Sequence, residues 1–283
     1  MANVTAYLHP ERLLVATWVL DGGIAVIQDY KELAPDANID LRSIATETIQ
    51  LIIHSSHARF HWFPVDTSTR STERAQFEQQ AWFERSAFMY SEKIEMPTVI
   101  HCEGYEVQAV AAVTEQIRSR CQELGGNDSL IAIDYTSDVH AALSSIKQRS
   151  EPWLLLSRRG AHWYASVIGA NHKVLHFAAF PHDNDYSNQA MIMLIVSTIG
   201  QRYDTVISAL LLCGDVITSD EIQETKDALV QDGIKVSRLQ PFKTMQSQLS
   251  EKNAQRLLRR AHVISPLAGA ILQQQLLATT QLL

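Results

Sequence analysis

Three histidines, His54, His57 and His61, fall within eight residues. Imidazoles this close in sequence can hold Zn²⁺ or Ni²⁺ when their ring nitrogens converge. No carboxylate or thiol accompanies them, and strand alternation would spread them over two faces, so they are expected as surface strand residues. His182-Asp183-Asn184-Asp185 could bring acids to a cation, but the same residues suit a turn and a helix cap. Ser55-Ser56 and Ser144-Ser145 lack the flanking glycines that expose a hydrolase nucleophile. There is no Gly-x-Gly-x-x-Gly, no Walker loop and no Cys-x-x-Cys. The remaining chemical signal is Cys213-Gly214-Asp215, where an apolar run stops at a glycine and the backbone can reverse tightly beside a ligand.

The elements that must position these residues follow from periodicity. Leu13–Leu20 and Ile24–Tyr30 flank Asp21-Gly22-Gly23, a hairpin pattern. Gln50–His54 and Arg59–Pro64 read as strands, and Thr72–Phe88 as a helix capped by Ser71 or Thr72. Adjacent Trp82 and Phe83 cannot both face one core, which makes one of them a candidate for an interface, although core is the default for each tryptophan. Met96-Pro97 breaks the chain before a short strand, Thr98–Cys102. From Tyr105 to Leu124 apolar residues recur every three or four positions, which predicts one amphipathic helix stopped by Gly125-Gly126, with Cys121 in its core face. Leu130–Tyr135 reads as a strand, Asp138–Lys147 as a helix, and Lys147–Pro152 as a joint between residues 1–149 and 150–283.

The second part is clearer. Trp153–Ser157, His162–Ile168 and Lys173–Phe180 read as three strands joined by turns. Helix, strand, helix and strand then alternate at Asp185–Ile199, Ala209–Cys213, Ser219–Gln231 and Lys235–Leu239, with Ser219 as a cap. Met245–His262 and Leu267–Gln274 are expected as closing helices. The order is βββαβαβα, and the first half follows it loosely.

Composition narrows the partners. The chain has 283 residues, 46% hydrophobic and 19% charged, with a net charge of −7. This balance argues against a nucleic-acid or anionic-membrane surface, and Arg158-Arg159 and Arg259-Arg260 are expected on solvated faces. Met1–Arg12 has neither a cationic start nor an apolar core, so no leader is expected. The longest apolar run, Ala190–Ile199, is far below the roughly 20 residues of a membrane span. Cys102, Cys121 and Cys213 are few and widely spaced, which fits reduced thiols in a cytoplasmic protein.

The order and spacing of several segments resemble the actin-like pilus-assembly proteins, the PilM class related to the cell-division actin FtsA. The likeness is carried by Val65–Glu84, by Ala109–Leu124 with Ile133-Asp134 and Asp138–Leu143, by Leu210–Gly214, by Ile234–Phe242 with its Pro-Phe ending, and by Ser265–Leu272. It implies an α/β fold of the actin/RNase H-like kind, two halves with a cleft between them. The family's phosphate loops carry Asp-x-Gly-x-Ser/Thr, in which an acid places Mg²⁺ and amides hold phosphate oxygens. Asp21-Gly22-Gly23 lacks the following hydroxyl, Ser157–Ala161 has no acid, and the adenosine turn is Gly214-Asp215 instead of Gly-Gly. A carboxylate there would repel phosphates.

The expected protein is therefore a non-catalytic, degenerate actin-like scaffold or adaptor of a pilus- or secretion-type assembly. It would bind a partner peptide, lie in the cytoplasm or at the inner membrane through that partner, and need no cofactor or metal. The alternative is an actin-like ATPase or sugar-kinase-like phosphotransferase. It would bind ATP with Mg²⁺ at Asp21, the amides of Gly22, Gly23 and Gly160 on phosphate, and Gly214 at the adenosine.

Overall fold

The computed structural model describes residues 2–66, 92–215 and 217–280. The expected helix Thr72–Phe88, with Trp82 and Phe83, and most of the segment Val65–Glu84 lie outside these residues.

The chain opens with three antiparallel strands, β1 (Asn3–His9), β2 (Arg12–Asp21) and β3 (Ile24–Leu33). Strand β4 (Ile49–Ile53) pairs in parallel with β1, and β8 (Leu130–Ile133) in parallel with β4. Between them lie β5 (Ala58–Asp66), β6 (Glu92–Cys102), β7 (Tyr105–Val113) and helix α1 (Glu115–Gly125); α2 (Asp134–Ser145) follows β8. The pattern repeats in β9 (Trp153–Arg159), β10 (His162–Ile168), β11 (Val174–Pro181), α3 (Asn188–Tyr203), β12 (Ala209–Gly214), α4 (Ser219–Leu229) and β13 (Lys235–Arg238). A two-residue strand β14 (Gln246–Ser247), α5 (Glu251–Arg259) and α6 (Ser265–Thr280) complete it.

The two sheets share one internal order. The first runs β14-β3-β2-β1-β4-β8 and the second β13-β12-β9-β10-β11-β6-β7-β5. Each therefore contains three antiparallel strands whose first member pairs in parallel with the next strand of its half. The sheets exchange chain across residue 150. Strands β5 to β7 extend the second sheet, whereas β14 pairs with β3 of the first.

Alternate residues of a strand face opposite sides of its sheet. In β12, Ala209, Leu211 and Cys213 join the core between the sheets, while Leu210 and Leu212 join the core under α3 and α4. This strand is covered on both faces, which explains its unbroken apolar run. On the outer face of the first sheet, Tyr7, Leu14 and Ile52 pack against Leu267, Ala268 and Ile271 of α6. No helix among the described residues is long and apolar enough to cross a membrane. All three cysteines are free thiols, and Cys121 is buried as expected.

Several boundaries differ from expectation. Strand β1 was not foreseen, because its run Asn3–His9 mixes polar and apolar residues on two buried faces. The expected helix Tyr105–Leu124 is strand β7 followed by α1. Val107, Ala109, Ala111 and Val113 also satisfy a two-residue period, and pairing with β5 and β6 decides between the two readings. Thr114 then caps α1 through the Ile117 amide. The strand before α2 stops at Ile133, so Asp134 belongs to the helix. Helix α4 is capped by Thr218 in a capping box with Glu221. Met245–His262 is β14 and then the shorter α5.

Candidate functional site

Parallel pairing of β1 with β4, and of β9 with β12, brings the carboxyl ends of four strands together. In α/β sheets ligands bind at such ends. His9 ends β1, His54 follows β4, Arg159 ends β9, and Gly214-Asp215 closes β12. Helix α2 adds Asp134 and Asp138, which its pitch places on one face.

Arg159 is fully buried. Its Nε and Nη2 donate to the two oxygens of Asp138, each at 2.9 Å. Its Nη1 donates to Asp215 Oδ1 at 2.6 Å and to the Val263 carbonyl at 2.7 Å, and Nη2 donates to Ser265 Oγ at 3.0 Å. Every N–H of the guanidinium thus has an acceptor, the condition under which a buried charge is tolerated. Asp138 also accepts from the Ser157 and Ser265 hydroxyls at 2.5 and 2.6 Å. Asp134 accepts from the Ser55 amide at 2.8 Å, from the Ser55 hydroxyl, and from Tyr7 at 3.4 Å. Burial pushes its carboxyl above the usual range, against the pull of His54 and Arg159. Burial alone would raise Asp215 too, but the Arg159 charge, the hydrogen bond from His54 and the nearby His9 ring outweigh it and hold that carboxyl far below normal.

Two backbone amides set the histidine protons. The Ser56 N–H donates to His54 Nδ1 at 3.1 Å, and the Glu11 N–H donates to His9 Nδ1 at 3.2 Å. A ring nitrogen that accepts carries no proton, so the neutral rings are protonated at Nε2. His54 Nε2 donates to Asp215 Oδ2 at 2.5 Å, and His9 Nε2 lies 3.7 Å from Asp215 Oδ1. The ligand atoms of His9, His54 and Asp215 lie within 4.8 Å of one another, close enough for a metal ion. A cation would need both Nε2 atoms bare and would sit beside the Arg159 guanidinium. The arrangement as built holds an anion, and Asp215 supplies it.

The expected site residues are distributed unevenly. Gly160 and Gly214 lie at this centre. Gly160, at φ +56°, brings the β9–β10 turn so close to Ser56 that an added Cβ would lie 3.3 Å from its amide nitrogen. Gly214, at φ +134°, leaves a Cβ no room against the Arg158 backbone, 2.7 Å from its nitrogen, and its amide donates to the His262 carbonyl. Asp21, Gly22 and Gly23 form the β2–β3 turn. Because Asn3 pairs with Trp18 and His9 with Arg12, that turn lies at the opposite end of the sheet from His9.

Other expectations need correction. His54 is buried at the centre, not a surface strand residue, because it ends a strand and caps the Ser55–His57 turn. His57 is half-buried on that turn, and the side chain of His61 lies outside the described residues. Arg159 is not solvated: strand alternation sends it inward while Arg158 turns to Asn188. Arg260 is paired with Glu32 at 2.7 Å. Of the His182–Asp185 loop, Asp183 accepts from the Asp185 amide, which is turn chemistry. The signal for the missed groups was the i, i+4 pair of acids, Asp134 and Asp138, within a helix flanked by apolar strands.

Beside the centre lies a groove of about 850 Å³. It is bounded by His9 and Pro10 of the β1–β2 turn, Ser56 and His57, and Ile117 and Arg120 of α1. Burial, then the neighbouring His54 and His9, pushes the His57 ring down to about 4. Its folded form holds fewer protons than the unfolded chain between pH 6.5 and 4, so stability falls as pH falls through that window. The expected contribution is about 1–2 kcal/mol after allowance for its partly exposed ring. Urea midpoints at pH 7 and pH 4.5 should therefore differ less for His57→Gln than for wild type. An unchanged difference would remove His57 as a cause.

No protein-family profile matches the sequence, and no curated protein matches it. Among solved structures, the chain is similar to a Bacteroides thetaiotaomicron protein with an actin-like ATPase fold and unknown function. The TM-score is 0.58 at 9% identity, over 95% of each chain. It is also similar to a structure of the PilM-PilN type IV pilus biogenesis complex, with a TM-score of 0.56 at 11% identity, over 95% of this chain and 98% of that one.

Proposed function

We propose that this chain, which has the actin-like ATPase fold, is a non-catalytic member whose nucleotide cleft is closed by its own side chains. It serves as a scaffold or adaptor for a protein partner. One observation carries the reading: the positions corresponding to the second phosphate loop and the adenosine turn are joined by Arg159, Asp138, Asp215 and His54 into a buried hydrogen-bonded network. An ATP triphosphate would meet the Asp215 carboxylate and would have to break several charge-assisted hydrogen bonds. The groove along α1 offers a partner segment a place to bind without disturbing that network. Similarity to a PilM-PilN structure supports a peptide of a cytoplasmic or inner-membrane assembly component as the partner.

Calorimetry with ATP and ADP, with and without Mg²⁺, tests the closed cleft. No heat is expected at millimolar nucleotide. Micromolar binding would overturn the reading and favour an ATPase or phosphotransferase.

A further inference from the structure

We propose that Arg12, Arg256 and Arg260 form a docking site for an acidic segment of a protein partner. This rests on the scaffold reading above for the existence of a partner, and it supplies that partner's chemistry. The site lies on the outer face of the first sheet. Register places Glu32 of β3 beside Leu14 of β2, and Arg12 stands two residues before Leu14 on the same face. Pairing of Gln246 and Ser247 with Val26 and Ile27 returns the chain along β3, and α5 then packs over this face through Leu257. Arg256 and Arg260, one helical turn apart, reach the same carboxylate.

Three guanidinium groups meet a single oxygen. Arg260 Nη1 donates to Glu32 Oε2 at 2.7 Å, Arg256 Nη2 at 3.0 Å and Arg12 Nη1 at 3.4 Å, while the Tyr30 hydroxyl donates to Oε1 at 3.0 Å. One carboxylate cancels one of three positive charges. Glu11 accepts from Arg12 at 3.1 Å, but its side chain is 71% exposed and such pairs are weak. Among the described residues Arg256 and Arg260 donate to no other acceptor, so most of their N–H groups stay open. Glu32, whose side chain is 8% exposed, holds the forks in place, and Arg256, at 59%, faces solvent. The cations are thus preorganised and only partly neutralised, on a chain whose net charge is −7.

A carboxylate is the group these forks already accept. A peptide suits them better than a membrane or a nucleic acid, because the acidic remainder of the chain repels an extended polyanion. Arg12 also lines the groove with Leu8, Leu13 and Ile117, so a segment seated on the arginines can continue along apolar walls.

Fluorescence anisotropy of a labelled, end-capped peptide of about six glutamates tests the site at low salt, where such contacts are least screened. Saturable one-to-one binding is expected, about threefold weaker for Arg256→Gln and about tenfold weaker when Arg12→Gln is added. Glu32→Gln is expected to tighten binding about threefold, because it removes the carboxylate that competes for the guanidinium groups. A Glu32 that only clamps α5 to the sheet would leave binding unchanged, and that result overturns the proposal. If Glu32→Gln does not fold, Arg256→Glu at the exposed position takes its place and should abolish binding. No saturable binding, or a double variant that binds as wild type does, overturns the proposal. So does equal binding of a thymidine oligonucleotide of the same charge or of phosphatidylserine vesicles, either of which assigns the arginines to another class of partner. Nucleotide calorimetry reports on the closed cleft and peptide binding on the arginines, so the two readings can fail separately.

Discussion

Arg159→Met should lower stability by about 3–5 kcal/mol, the usual cost of removing one partner from a buried ion pair. The methionine fills much of the volume but donates nothing, so Asp138, which is fully buried, keeps only the Ser157 and Ser265 hydroxyls. Asp215 retains His54 but loses the cation that does most to hold it ionised. The Val263 carbonyl and Ser265 hydroxyl lose a donor as well, which loosens the entry to α6. Urea unfolding at pH 7 measures the loss. A change below about 1 kcal/mol would mean that the guanidinium is not held as described. Adding Asp138→Leu should recover part of the loss, because an apolar pair replaces a stranded charge. Additive losses would show that the two residues do not act together.

Gly269→Ala should cost about 3 kcal/mol or more, at or beyond the upper end for overpacking. Helix α6 crosses α2 at this residue, and an added Cβ would overlap the Ser137 carbonyl oxygen and lie 2.6 Å from its carbonyl carbon. Backbone is the obstacle, so no rotamer change relieves the overlap and the helices must separate. Separation would also displace Ser265, at the start of α6, from Asp138 and Arg159. Thermal unfolding of Gly269→Ala beside Leu277→Ala, an exposed position on the same helix, separates this contact from general helix effects. The Leu277 change should stay within about 0.5 kcal/mol. Equal and small shifts for both would show that the helices do not pack this closely.

The parts of the fold that were legible in the sequence are those whose local pattern allows one period. Strands β9, β10 and β11 are short runs of strand length separated by the turns at Gly160 and Gly169–Asn171, and β12 is an apolar run of strand length bounded by Ser208 and Gly214. The β2–β3 hairpin was equally plain, because Asp21-Gly22-Gly23 stands between two apolar-rich runs of strand length. Strand β7 was misread since Val107 and Val110 fit a helix as well as Val107, Ala109 and Ala111 fit a strand. Only pairing with β5 and β6, distant in sequence, selects the strand. Because β1 shows no single period, the His9–Arg12 turn carries no sequence signal of its own. The turn that reaches the centre is His9–Arg12, not Asp21–Gly23.

The sequence by itself determined the α/β class, the order of the second half, the acidic character and the absence of intact Asp-x-Gly-x-Ser/Thr loops. These are properties of composition and of short windows, in which a residue's neighbours in the chain carry the information. Tertiary structure alone decided that Arg159, which reads as half of a surface pair, is the most fully engaged side chain at the centre. It also decided that His54 and Asp215, 161 residues apart, share a hydrogen bond. Such contacts arise where strand ends from two sheets meet, and no local period encodes which ends those are.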